Sequence, residues 1–206
     1  MDSFSFSSAS VLDLQDLIFH FEKVRVKLEE KNQQNLISFH DTYFLITQTV
    51  FSKIGTGFFE NDENMIVFVI SFAGYYFDAL DQFFTGENSS LAWQFLFKQS
   101  EKNHFPRFVY LLLGVHAHIN QDLSLCLEDL GFGESFKNDY LAINEIIKGK
   151  LAQAISQLKE KSPILKLVLE TGLFVYQIPM HKFIVLCRNL AWYKSQSGRE
   201  SVLAYA

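Results

Sequence analysis

The stretch Asp62-Glu-Asn-Met-Ile-Val-Phe-Val-Ile-Ser-Phe-Ala-Gly-Tyr-Tyr-Phe-Asp-Ala-Leu-Asp-Gln-Phe-Phe84 decides the fold. Its β-branched and aromatic residues would suit a strand. Its length does not, because more than 20 residues pass before the turn signal Thr85-Gly86, and strands run to about 10. The segment therefore reads as a helix. The uncharged apolar run inside it, Met65 to Phe77, is 13 residues long before Asp78 closes it. A membrane span needs about 20, so this helix is expected to lie in a protein core.

Outward from it the same 3.6-residue period continues. Ser10 is placed to cap a helix to about Lys31 with Val11, Leu14, Leu17, Ile18, Phe21, Val24 and Leu28 inward. A second runs from about Leu36 to Ile54 and ends at Gly55-Thr56-Gly57. After the third come helices over about Ser89–Lys102, Pro106–Leu130 and Glu134–Lys161. Ser162-Pro163 caps a seventh, and Pro179 breaks the chain before an eighth over about Met180–Ser197. No repeat or linker divides the chain. The expected architecture is an all-α, single-domain bundle over residues 1–206, with 1–9 as a disordered tail, built from 7–8 helices around a central buried helix at about 106–130.

Composition sets the outer limits. Apolar residues make up 49 % and charged residues 20 % of the 206 positions, which excludes a disordered chain. Phenylalanine is in excess, 22 against 8 Tyr and 2 Trp, and so many rings demand a large core. A net charge of −5 argues against a nucleic-acid or anionic-membrane partner, both of which call for a basic face. The first ten residues lack the layout of a secretory signal. Cys126 and Cys187 stand alone, without a C-x-x-C or metal-ligand spacing. Both fit buried free thiols in a cytoplasmic protein.

The segment Phe108 to Asp122 carries the chemistry. At about 100° per residue, Leu111, Gly114, His118, Asp122 and Leu125 fall on one stripe. Leu112, Ile119, Leu123 and Leu127 lie opposite, with His116 and Asn120 among them, and only Ala117, Gln121, Ser124 and Glu128 form a small or polar strip. A helix apolar on two sides is central, so His118 and Asp122 are expected to be buried, four residues apart on one face. Buried polar groups need partners. The pair suits two ligands of a divalent metal, with Asp78 as a third, and equally an intrahelical hydrogen bond that fixes the imidazole tautomer. His116 and His118 point nearly opposite ways and cannot share an ion.

In the third helix Gly74, and in the fifth Gly114, would let two helices approach closely and bring Asp78 toward His118. The alternative places Asp78 at an exposed helix end with Asp81. In the last helix His181, Val185, Arg188 and Trp192 share a face. A buried Arg188 would need a carboxylate from Asp78, Asp122 or Asp139; otherwise it lies on the surface. His20, His40 and His104, on charged or loop-proximal stretches, are expected to be solvated. G-x-S-x-G, H-E-x-x-H, Walker A and dinucleotide-binding patterns do not occur.

The run Leu111-Leu-Leu-Gly-Val-His-Ala-His-Ile-Asn-Gln-Asp-Leu123 resembles the signature L-L-G-x-x-A-H-I-N-x-D-L of an uncharacterised bacterial domain family. The similarity spans about Phe39 to Trp192 and includes Phe72-Ala73, Tyr76, Asp78-Ala79, Ala92-Trp93, Asp139 to Asn144, Arg188 and Ala191-Trp192. His116 departs from the pattern, which has Asn there. The resemblance implies an all-helical domain with a polar centre at His118, Asn120 and Asp122, and it implies no activity. A vaguer likeness to helical zinc-dependent phospholipase C and P1-nuclease domains rests on helical His/Asp ligands alone and lacks their fuller ligand set.

Three functional readings stay open. The first is a hydrolase-like enzyme in which His118 is general base or metal ligand, Asp122 its orienting carboxylate or co-ligand, and Asn120 and Arg188 hold an anionic or carbonyl-bearing substrate. The second is a non-catalytic domain whose polar cluster fixes helix packing. The third is a binding module with an interior lined for a small apolar ligand.

Overall fold

The computed structural model describes residues 5–161 and 180–203. Helices are the regular structure throughout these residues, in seven rods. They are α1 (Leu14–Glu30), α2 (Gln34–Phe51), α3 (Asp62–Thr85), α4 (Leu91–Lys102), the composite α5 (Arg107–Ala117) and α6 (Leu123–Leu130), α7 (Lys137–Lys161) and α8 (Met180–Leu203). The fold is the expected all-α bundle. The helix expected after Ser162-Pro163, and the break at Pro179, lie outside the described residues. Short 3₁₀ turns at Ser8–Ser10 and Glu134–Phe136 precede α1 and α7.

Boundaries follow capping chemistry. The N-cap of α1 is Asp13 rather than Ser10: its side chain accepts the Asp16 amide and its backbone is extended. Asn61 caps α3 through the Asn64 amide, and Gly86 ends that helix at φ 81°, the left-handed C-terminal cap position. By length and composition alone α3 would pass for a membrane span, with half of its most apolar 18-residue window buried. Here it is a core helix against the N-terminal turn, α1, α4 and α6, burying Met65, Phe68, Phe72, Tyr76 and Phe77 among others.

Residues 5–9 are not a free tail. Asp81 accepts from the Ser5 hydroxyl and from the Phe6 and Ser7 amides. Asp78 accepts from the Ser8 amide at 2.9 Å and from the Ser7 and Ser8 hydroxyls. Phe6 stacks on Phe84 with ring centroids 4.5 Å apart. This turn also occupies the space beside Gly74, where a Cβ would meet Ser8 at 3.3 Å. The close approach read at Gly74 is real, but its partner is the N-terminal turn.

Two histidines expected at the surface are interior ties. His20 is 4 % exposed, with Nε2 3.1 Å from the Phe6 carbonyl. His40 is fully buried on α2; its Nε2 lies 3.1 Å from the Phe21 carbonyl on α1 and its Nδ1 3.0 Å from the Tyr76 hydroxyl on α3. The consistent tautomer donates from Nε2 and accepts at Nδ1. His104 is exposed, as expected.

Burial pushes the His40 pKa down to about 3, against an ordinary value of 6.5. The unfolded imidazole takes up a proton as pH falls below 6.5, and the folded one does not until about 3. His40 therefore adds to stability fully above pH 6.5, and the contribution drains away as pH falls toward 3, at about 1.4 kcal/mol per unit for one proton. Denaturant midpoints taken from pH 6.5 to 5 should show a loss of about 2 kcal/mol from this residue. His40→Asn should flatten the curve by one proton, and an unchanged slope would contradict the assignment. Burial lowers His20 and His118 as well, so both add in the same direction.

Candidate functional site

The composite rod is the centre of the bundle, as the two-sided apolar wheel requires. Its α5 half packs on α2 and α4, and its α6 half packs on α3 and α8. Between them, His118–Asp122 form one turn of π-helix, closed by the Leu123 amide on the His118 carbonyl. Single π turns inside α-helices recur at functional sites. This one contains both residues singled out in the sequence.

His118 and Asp122 are 2 % and 3 % exposed and bonded to each other, Nδ1 to Oδ2, at 2.9 Å. The Asp122 carboxylate takes a second donor from α4: Trp93 Nε1 lies 2.9 Å from Oδ2 and 3.1 Å from Oδ1. Burial lowers the His118 pKa, and the charge of Arg188 adds to that, while the Asp122 bond and charge oppose it. Burial thus favours the neutral imidazole, hydrogen-bonded to the Asp122 carboxylate. Nδ1 carries the proton given to Asp122, and Nε2 keeps a lone pair.

Nε2 is buried and has no hydrogen-bond partner among the described residues. Phe72 stacks on the ring with centroids 3.8 Å apart, and Tyr43 meets it tilted at 60° with centroids 4.4 Å apart. Phe39, Trp93 and Tyr76 stand 5.9, 6.2 and 6.3 Å away. Of the many phenylalanines, Phe72 and Phe39 wall this polar group. Two tyrosines and a tryptophan complete the box, whereas Phe95 and Phe105 from the same region face solvent.

His118 lines a cavity of about 70 Å³. The described lining is apolar side chains of α2, α3, α7 and α8 together with Val115 and Ile119 of the composite rod, interrupted by Thr42, Tyr43, Thr47, His118 and Arg188. Thr42 also borders a wider outer cleft of about 390 Å³ that holds Arg25, Asp41 and Arg107.

Arg188 is buried on α8 at 1 % exposure. Its Nε donates to Asn144 Oδ1 and its Nη2 to the Tyr140 carbonyl, each at 2.8 Å, and the guanidinium lies 4.2 Å over the Tyr140 ring. The Tyr140 hydroxyl returns a bond to the Arg188 carbonyl at 2.7 Å. None of the three acids expected to meet this arginine does so. Asp122 serves His118 and Trp93; Asp139 accepts the Glu60 and Asn61 amides at 2.6 and 2.8 Å; Asp78 holds the N-terminal turn.

The other expected members are also placed elsewhere. Asn120 is exposed and bonds His116 Nδ1 at 2.7 Å on the outer face of the π turn, away from His118. Asp78 is not brought to His118. Gly114 is a close approach, but to Phe39 of α2 rather than to Gly74. The proposed trio His118, Asp122 and Asp78 is thus not assembled, and among the described residues no group of three or more His, Cys, Asp or Glu side chains is placed to hold a metal ion. Sequence reasoning missed Trp93, Tyr140 and Asn144 as partners. Their signal was the family-like positions Ala92-Trp93 and Asp139 to Asn144.

Fold and site together define an all-helical protein built around a buried aromatic-boxed His–Asp dyad. The model of a family of unknown function (DUF5995) matches residues 14–201, and the chain belongs to that family. No curated protein and no solved structure matches it.

Proposed function

We propose that the protein binds a small organic molecule in the cavity between α2, α3, α7 and α8, and that the Asp122–His118 dyad serves that molecule as hydrogen-bond acceptor and general base. The observation that carries this reading is His118 Nε2, a buried lone pair without a partner among the described residues, on a residue that lines a cavity. Leaving a buried polar atom unpaired costs about 1–3 kcal/mol, and a ligand hydroxyl or amide N–H removes that cost. Asp122 fixes the tautomer and would stabilise the imidazolium formed on proton uptake.

The same arrangement supports a hydrolase-like step. A water held between Nε2 and an ester would lose its proton to Nε2 as its oxygen bonds to the carbonyl carbon. The leaving oxygen would then recover that proton. Arg188, on the same cavity wall, supplies the positive charge for an oxygen that gains negative charge. A second reading, a purely packing role, is favoured by the Trp93–Asp122 bond, which joins α4 to the π turn. It accounts for Asp122 but leaves Nε2 and the cavity without a role. Two buried free thiols, Cys126 and Cys187, fit a reducing cytoplasm.

The test is an imidazole ¹⁵N spectrum of the full chain at pH 7 during titration with ethanol and acetamide. His118 should show the Nδ1–H tautomer, and its Nε2 resonance should move saturably with one or both probes. His40, whose two nitrogens are engaged, should stay still. Unmoved His118 with both probes, or a protonated Nε2 in the free protein, would overturn the reading.

A further inference from the structure

We propose that the cavity's ligand is a small organic acid, a short-chain carboxylate whose anionic end is held by Arg188. This rests on the cavity being the binding site proposed above. Arg188 is among the largest fully buried side chains of the molecule. Its two hydrogen bonds go to uncharged acceptors, Asn144 Oδ1 and the Tyr140 carbonyl, and the Tyr140 ring beneath it is neutral. No carboxylate pairs with it among the described residues. The nearby described acids have other donors, so among the described residues the guanidinium stands in the interior without a carboxylate partner. Such a charge is costly, and the cost falls when an anion is brought to it.

The cavity is where an anion can reach it, since Arg188 and His118 line the same space. A guanidinium offers five N–H donors in a planar fork that matches a carboxylate. Here Nε and Nη2 are used, and Nη1 makes no hydrogen bond among the described residues. The walls choose among anions. Ile143, Ile147 and Ile184 are hydrocarbon, and they solvate an alkyl chain but not the remaining oxygens of a phosphate or sulfate. Size chooses further. A dry cavity of about 150 Å³ holds benzene. A cavity of about 70 Å³ is about half of that and therefore suits about three heavy atoms, so formate and acetate are the acids nearest to it in size.

Acetate and acetamide have the same shape and differ in charge, so the pair separates the two proposals. Each is titrated into the full chain at pH 7 and constant ionic strength, with binding read from the methyl resonances of Ile143, Ile147 and Ile184 and from the His118 imidazole. Acetate should bind at least tenfold more tightly than acetamide. Arg188→Gln should level the two. Because Arg188 also joins α7 to α8, the comparison in the natural sequence carries the test whether or not that variant folds. Acetamide binding as tightly as acetate would overturn the acid assignment and leave the binding site standing. Saturable shifts with neither would overturn both.

Discussion

Asp122→Ala should lower stability by about 4 kcal/mol and the melting temperature by about 10 °C. Among the described residues the carboxylate is the only acceptor for two buried donors, Trp93 Nε1 and His118 Nδ1. Its removal strands both, at about 1–3 kcal/mol each, and leaves a small void. Asp122→Asn keeps the volume and one acceptor oxygen, so it should cost about half as much. It should also free His118 to move its proton to Nε2. Calorimetry or denaturant unfolding reads the stability, and the imidazole ¹⁵N spectrum reads the tautomer. A loss below about 1 kcal/mol for the alanine variant would mean that the hydrogen bonds drawn here are not the ones holding α4 to the π turn.

Gly114→Ala is the second large effect, and it comes from volume alone. A Cβ at this position would sit 2.4 Å from Phe39 Cγ, 2.6 Å from Cδ2 and 2.8 Å from Cβ. Real Cβ atoms do not come so close, so α2 and α5 must part. Helix propensity favours the alanine by about 1 kcal/mol, but overpacking a filled core costs about 1–3 kcal/mol and sometimes more. The clash falls on the root of a side chain that packs against Tyr43, Tyr76, Trp93 and His118. A net loss of about 3 kcal/mol is expected, with the imidazole resonances of His118 displaced. Phe39→Ala removes Cγ and Cδ2, the two nearest atoms. Adding Gly114→Ala to that background should cost far less than in the natural sequence, a positive coupling in a double-mutant cycle. Additive losses would show that the contact does not set the α2–α5 spacing.

The fold was legible because helical period and turn residues are local. Glycine at 86 and 131, the length of α3, and the two-sided apolar face of α5–α6 are properties of single segments. Within the site, the His118–Asp122 bond was legible for the same reason, since i, i+4 spacing belongs to one helix. What joins different helices was not. Trp93 on Asp122, Asn144 and Tyr140 on Arg188, and Asp139 on the amides before α3 depend on which helix lies beside which, and a single sequence does not carry that. His20 and His40 were misplaced for a related reason. Their partners are the Phe6 and Phe21 carbonyls, and a backbone acceptor leaves no mark in the residue pattern. Asp78 and Asp122 are both acids on greasy helices, and only the N-terminal turn seated on Asp78 separates a cap from a site residue.

The π turn has one more consequence. An α-helix presents one face to one set of neighbours along its whole length. A single extra residue in a turn advances everything beyond it by about 100°. The rod from Arg107 to Leu130 therefore acts as a phase shifter. Before the π turn it is keyed to α2 and α4, and after it to α3 and α8. The two halves share an axis but not a register, and the dyad sits where the register slips.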